Sequence, residues 1–463
     1  MREASTPFAL AAFAAGAFLA GFLPQIFHDA DTWWHLAAGD WMLAHHAVPA
    51  RDLYTYTFAG TPWNAHEWLS EVLMAVAFAA GGWTGLHILF ALASGAAAGT
   101  VAGALRKRMD FITALLVSVL GLGCVAGALL ARPHILALPM LAVWTSVLVD
   151  AREQRTAPPL WLAAVMLVWA NLHGSFAFGL ALAIALGAEA VMMEGPRAAK
   201  TWAAFVAASI LAALINPQGL EGLLFPIKLL SMPGLATVGE WGPSSFARPT
   251  PFLFALLGMI LVLMTGKIRL PVFRALLILA LTYLALSHQR HVMLFAVVAP
   301  LLAAPALGVT WPARNQDCPR WLIPMLAALP LVLLVVRLVL PAMRGEDRVT
   351  PQAALAHVPA GLRVQPVLNA YDYGGYLIHQ GVKVFIDGRT DMYPTDFLGN
   401  DDRLAAGDTS AFAATLARYR IAWTIYPSGS PSALALDRLP GWHRLYADAN
   451  AVVHVRDQPP PPG

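Results

Sequence analysis

The chain has 463 residues, 58% of them hydrophobic and 12% charged, with a formal net charge of +3 and a mean hydropathy of +0.61. It is too apolar for a soluble globular protein of this length and reads as a polytopic membrane protein. The basic residues are scattered among loops, which argues against a nucleic-acid surface. Cys124 in an apolar run and Cys318 in a short polar loop argue against a disulfide framework.

The apolar residues fall into runs of about 15 to 22, close to the roughly 20 that a helix needs to cross the hydrocarbon core. The first run, Phe8 to Phe27, reads as an uncleaved anchor because no small-residue cleavage site follows it. Expected spans are 8–27, 84–105, 111–130, 135–150, 159–172, 175–194, 199–215, 251–266, 270–286, 292–310 and 321–342. These about eleven crossings put every basic cluster on the cytoplasmic side: Arg106 to Arg108, Arg152 and Arg155, Arg197 and Lys200, Lys267 to Arg274, and Arg314 and Arg320. The amino end is then inside and the carboxyl end outside. Glu67 to Ala80 must be a juxtamembrane or re-entrant helix for this topology to hold.

Residues 28–83 form an outer juxtamembrane loop. Asp31 to His46 is predicted as a helix lying in the interface, with Trp34, Ala37, Ala38 and Trp41 on one face. Asp31 and His35, four apart, share a face. Tyr54 to Trp63 reads as an extended stretch turning at Ala59 and Gly60. Residues 1–342 constitute the transmembrane domain, 343–457 a small extracytoplasmic α/β domain, and 458–463 a disordered tail. In the α/β domain, strands are expected at Arg363 to Leu368, Val382 to Ile386, Ile421 to Tyr426 and Ala451 to Val455, with a helix at Thr409 to Tyr419.

The topology gathers polar residues at the outer ends of the spans: Asp29, Asp31, His35, His66, Glu67, Arg132, His134, Asn171, His173, Asn216, Gln218, Glu240, His288, Arg290 and His291. Ionisable groups at membrane depth are costly, so such a set is a site hypothesis. Loop ends are also polar on their own account, and Trp and Tyr sit at the interface as anchors without any further role.

The segment DTWWHLAAGDWMLAHHAVPARDLYTYTFAGTPWNAHEWLSEVL, starting at Asp31, resembles the first outer loop of bacterial GT-C-type glycosyltransferases, integral membrane enzymes that take sugars from polyprenyl-phosphate donors. The resemblance covers about the first hundred residues, together with the multi-span layout and outer carboxyl-terminal domain. It implies a catalytic base just after the first membrane helix, carried here by Asp29 or Asp31, with Asp31 preferred. It also implies that Glu67 orients an acceptor or helps to bind a metal. The chain departs from the aminoarabinose-transferase pattern, in which an Asp-Glu pair is common, because Thr32 follows Asp31. DYGGYLI, from Asp372, is loosely similar to the acceptor-binding segment of oligosaccharyltransferase catalytic subunits, although Ala370 and Tyr371 stand where those have tryptophans.

The expected function is therefore transfer of a sugar from a polyprenyl-phosphate donor to a lipid, glycan or protein acceptor on the outer face of a bacterial inner membrane. His35, His66, Arg132, His134, His173, His288, Arg290 and His291 are the expected substrate-binding residues. Arginine suits the leaving phosphate through its planar, bidentate donors. Asp372, Asp387, Arg389 and Asp391 are candidates in the carboxyl-terminal domain, where they read equally well as strand caps beside a Gly374–Gly375 turn. A divalent cation, Mg or Mn, could be held by Asp29, Asp31 or Glu67, since hard cations prefer oxygen ligands. A flippase or transporter of a lipid-linked sugar needs the same groove without a base, and a non-catalytic envelope assembly protein needs only the outer domain.

Overall fold

A computed structural model describes residues 2–230, 232, 239–313, 319 and 321–457. Arg314, Cys318, Arg320 and the expected tail lie outside the described residues. In chain order the helices are α1 (Arg2–Phe22), α2 (Asp31–His45), α3 (Trp68–Arg106), α4 (Phe111–Ala126), α5 (Pro133–Glu153), α6 (Leu162–Leu172), α7 (Phe176–Glu194), α8 (Pro196–Ala213), α9 (Leu220–Leu230), α10 (Pro251–Met264), α11 (Val272–Ser287), α12 (Val292–Thr310) and α13 (Leu322–Val339). There follow α14 (Gln352–Ala356), α15 (Ala360–Arg363), β1 (Val367–Asn369), α16 (Gly374–His379), α17 (Thr395–Ala405), α18 (Thr409–Arg418), β2 (Trp423–Pro427), α19 (Pro431–Leu436), β3 (Trp442–Ala447) and β4 (Ala451–Arg456).

The chain divides into two compact units, one of Met1–Leu23, Ala80–Lys228 and Val238–Ala342, the other of Pro24–Ala79, Leu229–Thr237 and Met343–Gly463. The first unit is helical and makes the chain a multi-pass membrane protein. Each of the expected spans is occupied by a helix. Among the described residues, six helices are long and apolar enough to cross a membrane, and α4, α6, α10 and α11 are shorter apolar helices. α3 is broken at Gly81 (φ −154°, ψ 18°) and Gly82 (φ 56°, ψ −140°), which separates the segment from Trp68 from the expected span. Only glycine adopts the Gly82 conformation without strain.

Small residues let these helices approach closely. Cβ atoms added to Gly95 or Gly99 of α3 would press on the α1 carbonyls of Phe13 and Ala9, at 2.9 and 3.0 Å. Trp144 of α5 donates through Nε1 to the Gly179 carbonyl at 2.8 Å and packs on Phe205, ring centroids 5.4 Å apart. Apolar side chains such as Leu261, Leu279 and Val335 are more than half exposed, as lipid-facing surface is. A buried ion network ties α5, α7 and α11. Arg274 bonds Glu189 at 3.3 Å and Glu153 at 2.7 Å, while Arg152 contacts Glu189 at 3.6 Å and pairs with Glu194.

The second unit joins the outer loop to the carboxyl-terminal segment. Its four strands run in the order β1-β2-β4-β3, with β1 parallel to β2 and the other pairs antiparallel. Phe385, Phe397, Phe412, Leu416, Ile421, Leu436 and Val452 form its core. The outer loop is built into that core. Phe58 packs edge-on to Phe397 and Tyr393, at 4.8 and 5.4 Å, Tyr56 donates its hydroxyl to the Val367 carbonyl at 2.8 Å, and Thr57 donates to Phe385 O at 2.8 Å. The carboxyl-terminal domain expected at 343–457 is thus part of a larger unit that takes in residues 24–79.

Four local features differ from expectation. Val382 to Ile386 pairs through one parallel bridge, Thr55 to Val384, instead of entering the sheet, and Arg363 ends α15. β3 joins the sheet although its side chains are largely exposed, so its sequence carries no burial alternation. α2 is buried at Thr32 to Leu36, Ala38, Gly39 and Met42, on more than the one face predicted, because α16 and the first turn of α3 cover it.

Glu189 is 5% exposed and serves two arginines. Truncating one partner of a buried pair leaves an uncompensated charge, at a cost of about 3–5 kcal/mol. Glu189→Ala is expected to lower the unfolding temperature in detergent, and Glu153→Ala, whose carboxylate is 42% exposed, to lower it much less; equal effects would remove the network from the stability of this unit.

Candidate functional site

The sequence-predicted residues divide between the two units, and within each they converge. In the second unit the anchor is Arg389, fully buried between two carboxylates that are also fully buried. It donates from Nε to Asp387 Oδ1 at 2.8 Å and from Nη2 to Asp387 Oδ2 at 2.6 Å, and its Nη1 lies 2.9 Å from Asp52 Oδ1. Asp52 is itself fixed by the backbone N–H groups of Tyr54 and Thr55 and by the Thr55 hydroxyl at 2.6 Å. Burial disfavours the guanidinium charge, but Asp387 and Asp52 more than offset it and hold the Arg389 pKa well above its ordinary value. The Arg389 guanidinium lies 5.0 Å from the Tyr54 ring centroid and 4.8 Å from that of Trp63, a cation–π arrangement.

From Trp63 the contacts lead to α2. Trp63 meets Trp34 edge-on at 6.4 Å, and Trp34 packs on the His35 ring at 3.6 Å. Trp34 Nε1 donates to Asp31 Oδ1 at 3.1 Å. Asp31 abuts Gly388: a Cβ there would collide with its Oδ1, so the glycine between Asp387 and Arg389 is what lets the carboxylate sit against this segment. Gly374 and Gly375 act likewise. Side chains at these positions would strike the carbonyls of Ile386 and Ala30, so the glycine pair lets α16 close onto α2.

His35, 3% exposed in its side chain, bonds Glu71 through Nδ1 at 3.1 Å, and its Nε2 lies 4.0 Å from Glu67 Oε2. Glu67 Oε1 lies 3.8 Å from His66 Nε2. Asp391 completes the group. Burial raises its pKa, against the lowering influence of His66 and Arg389. The cluster therefore brings Asp31, His35, His66, Glu67, Glu71 and Asp391 together beside indole and phenol faces, a combination suited to hydroxyl-rich ligands.

Two predicted residues stand apart. Asp29, 3% exposed, accepts from the Thr32 N–H and hydroxyl, both at 3.2 Å, in the first turn of α2, and lies in the field of Arg344. Asp372 neighbours Asp401, whose pKa is pushed up to about 7 by burial, Asp402 and Asp372. Among the described residues, no three His, Cys, Asp or Glu side chains are grouped so as to hold a metal. Asp29, Asp31 and Glu67, each expected as a possible cation ligand, are not brought into such a group.

In the helical unit the predicted residues form two groups, one at Trp241 and one at His134 and His173. Arg132 pairs with Glu240 at 2.7 Å, and the neighbouring Trp241 carries Arg290 on its face at 4.4 Å. His288 bonds the Trp241 carbonyl at 2.7 Å and meets His291 ring-to-ring at 5.4 Å. His134 meets His173 at 6.2 Å, and the His173 Nδ1 is held by Ser175 at 2.8 Å. Asn171 and Asn216 serve the scaffold instead, donating to the Ile215 carbonyl and to those of Ala213 and Gly219.

Sequence reasoning missed Asp52, Tyr54, Trp63 and Glu71. Glu71 carried a usable signal: it is an acidic residue inside an apolar helical run, four after Glu67 and on the same face. Asp52 carried none, since its partner lies more than three hundred residues away.

No protein-family model matches the chain, and no curated protein sequence does. Its structure is similar to the crystal structure of the Archaeoglobus fulgidus oligosaccharyltransferase in the apo form, with a TM-score of 0.51 and 12% sequence identity, covering 91% of this chain and 69% of that one. The likeness is one of fold.

Asp52→Ala would leave Arg389 buried with one carboxylate. It is expected to destabilise the second unit by about 3–5 kcal/mol, whereas Arg403→Ala, which removes a half-exposed arginine paired with Asp408, should change little; denaturant unfolding followed by tryptophan fluorescence compares the two. For Asp401 the raised pKa means that folding favours the acid form. The penalty is absent below about pH 4, grows as the pH rises, and is complete above about pH 7. Asp401→Asn should therefore raise the unfolding temperature at about pH 8 and leave it unchanged at about pH 4; a gain confined to low pH would contradict the assignment.

Proposed function

We propose that the protein is a membrane glycosyltransferase that moves a sugar from a polyprenyl-phosphate donor to an acceptor hydroxyl on the outer face of the membrane. The observation that carries this reading is the gathering of Asp31, Glu67 and Asp391 with His35 and His66 around Trp34 in a unit shared by the outer loop and the carboxyl-terminal segment. The fold shared with an oligosaccharyltransferase supports it.

The reaction is a single displacement. The acceptor oxygen forms a bond to the anomeric carbon, the bond from that carbon to the phosphate oxygen breaks, and the phosphate leaves with the electron pair. Asp31 takes the acceptor proton, its carboxylate steered by the indole N–H of Trp34 and by its seat against Gly388. Asp29 sets the first turn of α2 and so the direction in which Asp31 projects. Asp387 and Arg389 keep the second unit's loops in place.

The test uses the full chain in lipid nanodiscs with a panel of polyprenyl-phosphate-linked hexoses, reading sugar release. Removing a general base typically costs roughly 10²–10⁴-fold. Asp31→Asn is expected to lose turnover on that scale and Gly388→Ala to lose part of it. Unchanged turnover in both Asp31→Asn and Asp29→Asn would overturn the reading and leave transport of a lipid-linked sugar as the better account.

A further inference from the structure

The helical unit holds a cavity to which the transferase reading gives no part. Its volume is about 180 Å³, and it lies where α1, α3, α4, α5 and α12 meet. Engineered apolar cavities of about 150 Å³ take up benzene or xenon, so this one has room for a small organic molecule or one end of a chain. Its walls are alanines, such as Ala12 and Ala97, and larger apolar side chains, with two exceptions: Ser94 of α3 and Ser118 of α4.

Both hydroxyl oxygens are buried and have no hydrogen-bond partner among the described residues. Ser94 as a whole is only 2% exposed. A hydroxyl on an apolar helix commonly turns back to the carbonyl one turn earlier. Thr100, Ser209 and Thr282 of this unit do so, at 2.8, 2.9 and 2.7 Å. Ser94 and Ser118 do not, and both line the cavity.

Their depth restricts what can meet them. Ser94 stands twelve residues after Gly82 and twelve before Arg106, about 18 Å from either end of that part of α3. Ser118 is likewise in the middle of α4. The hydrocarbon core is about 30 Å thick, so the headgroup and ester oxygens of a glycerolipid lie about 15 Å from its centre. A phospholipid therefore offers these hydroxyls only alkyl chain. One water molecule would meet the hydroxyls but leave the apolar walls uncovered. The way in is from the lipid side: Val119, 59% exposed, and Leu115, 38% exposed, belong both to the cavity wall and to the surface of α4.

We propose that this cavity binds an apolar molecule dissolved in the membrane interior that carries one hydroxyl or carbonyl oxygen, a long-chain alcohol or ketone. The oxygen meets the Ser94 and Ser118 hydroxyls, since its two lone pairs serve two donors. The chain lies along the alanine walls and leaves past Leu115 and Val119. The site is independent of the transferase reading, because neither its geometry nor its test uses a residue placed in that reaction.

Photolabelling of the full-length protein in nanodiscs tests the proposal, with a diazirine-bearing octanol, the matching methyl ketone and the matching octane as probes and adducts mapped by mass spectrometry. The alcohol and the ketone should label the cavity walls, and excess unlabelled octanol should suppress that labelling. Octane should label lipid-facing side chains without saturating. Ser94→Ala combined with Ser118→Ala should lower cavity labelling by the alcohol about threefold or more and leave octane labelling as it was. Ala12→Leu, which narrows the cavity, should abolish it; the serine substitutions remove only two hydroxyls and keep the test decisive if Ala12→Leu does not fold. Cavity labelling as strong with octane as with the alcohol, or unmoved by the serine substitutions, would overturn the proposal. Labelling confined to lipid-facing side chains, the result expected if water alone meets the serines, would overturn it as well.

Discussion

The buried Arg389, clasped by Asp387 on one side and Asp52 on the other, is the interaction on which the candidate site depends. A fully buried guanidinium is tolerable only with its charge matched and its donors occupied. Asp387 comes from its own segment, but Asp52 comes from the outer loop, so the charge is matched only when the two segments fold together. The same arginine carries Trp63 and Tyr54 on its faces, and through Trp63 it reaches Trp34, the residue that steers Asp31 and covers His35. Electrostatics in one place thereby determines geometry in another.

The glycines of the carboxyl-terminal segment complete this arrangement by what they lack. Gly388 leaves room for the Asp31 carboxylate, and Gly374 and Gly375 leave room for the backbone carbonyls of Ile386 and Ala30. The segment from Asn369 to Tyr393 is thus best understood as a surface moulded to α2. Asn369 reinforces it, accepting from the Phe385 N–H at 2.9 Å and donating to the Ile386 carbonyl at 2.8 Å. In the helical unit the corresponding role falls to Trp241, which presents its ring to Arg290 and its carbonyl to His288.

Much of the helical unit could be read directly, because a membrane imposes a length and an apolarity that composition reveals. The choice of Arg132, His134, His173, His288, Arg290 and His291 as candidates rested on the same membrane argument, since ionisable groups are costly at membrane depth. Local periodicity also found α2 and α18. It failed for β3, an exposed edge strand without alternation, and for Val382 to Ile386, whose apolar run is buried by packing and pairs at one residue only. The union of the outer loop with the carboxyl-terminal segment was not legible, since it depends on pairs such as Asp52 with Arg389 and Tyr56 with Val367, which nothing local announces. Between Asp29 and Asp31 the sequence preferred the second. The structure distinguishes them by giving the first to the Thr32 backbone and hydroxyl and the second to an indole N–H beside a glycine.

The central claim, that a lipid-linked sugar is the substrate, is tested most directly by an experimental density map of the full chain in nanodiscs with a polyprenyl-phosphate-linked hexose bound. The account predicts that the contacts of the bound sugar include Asp31. A donor bound with no sugar contact to the cluster of Asp31, Glu67 and Asp391 would contradict it.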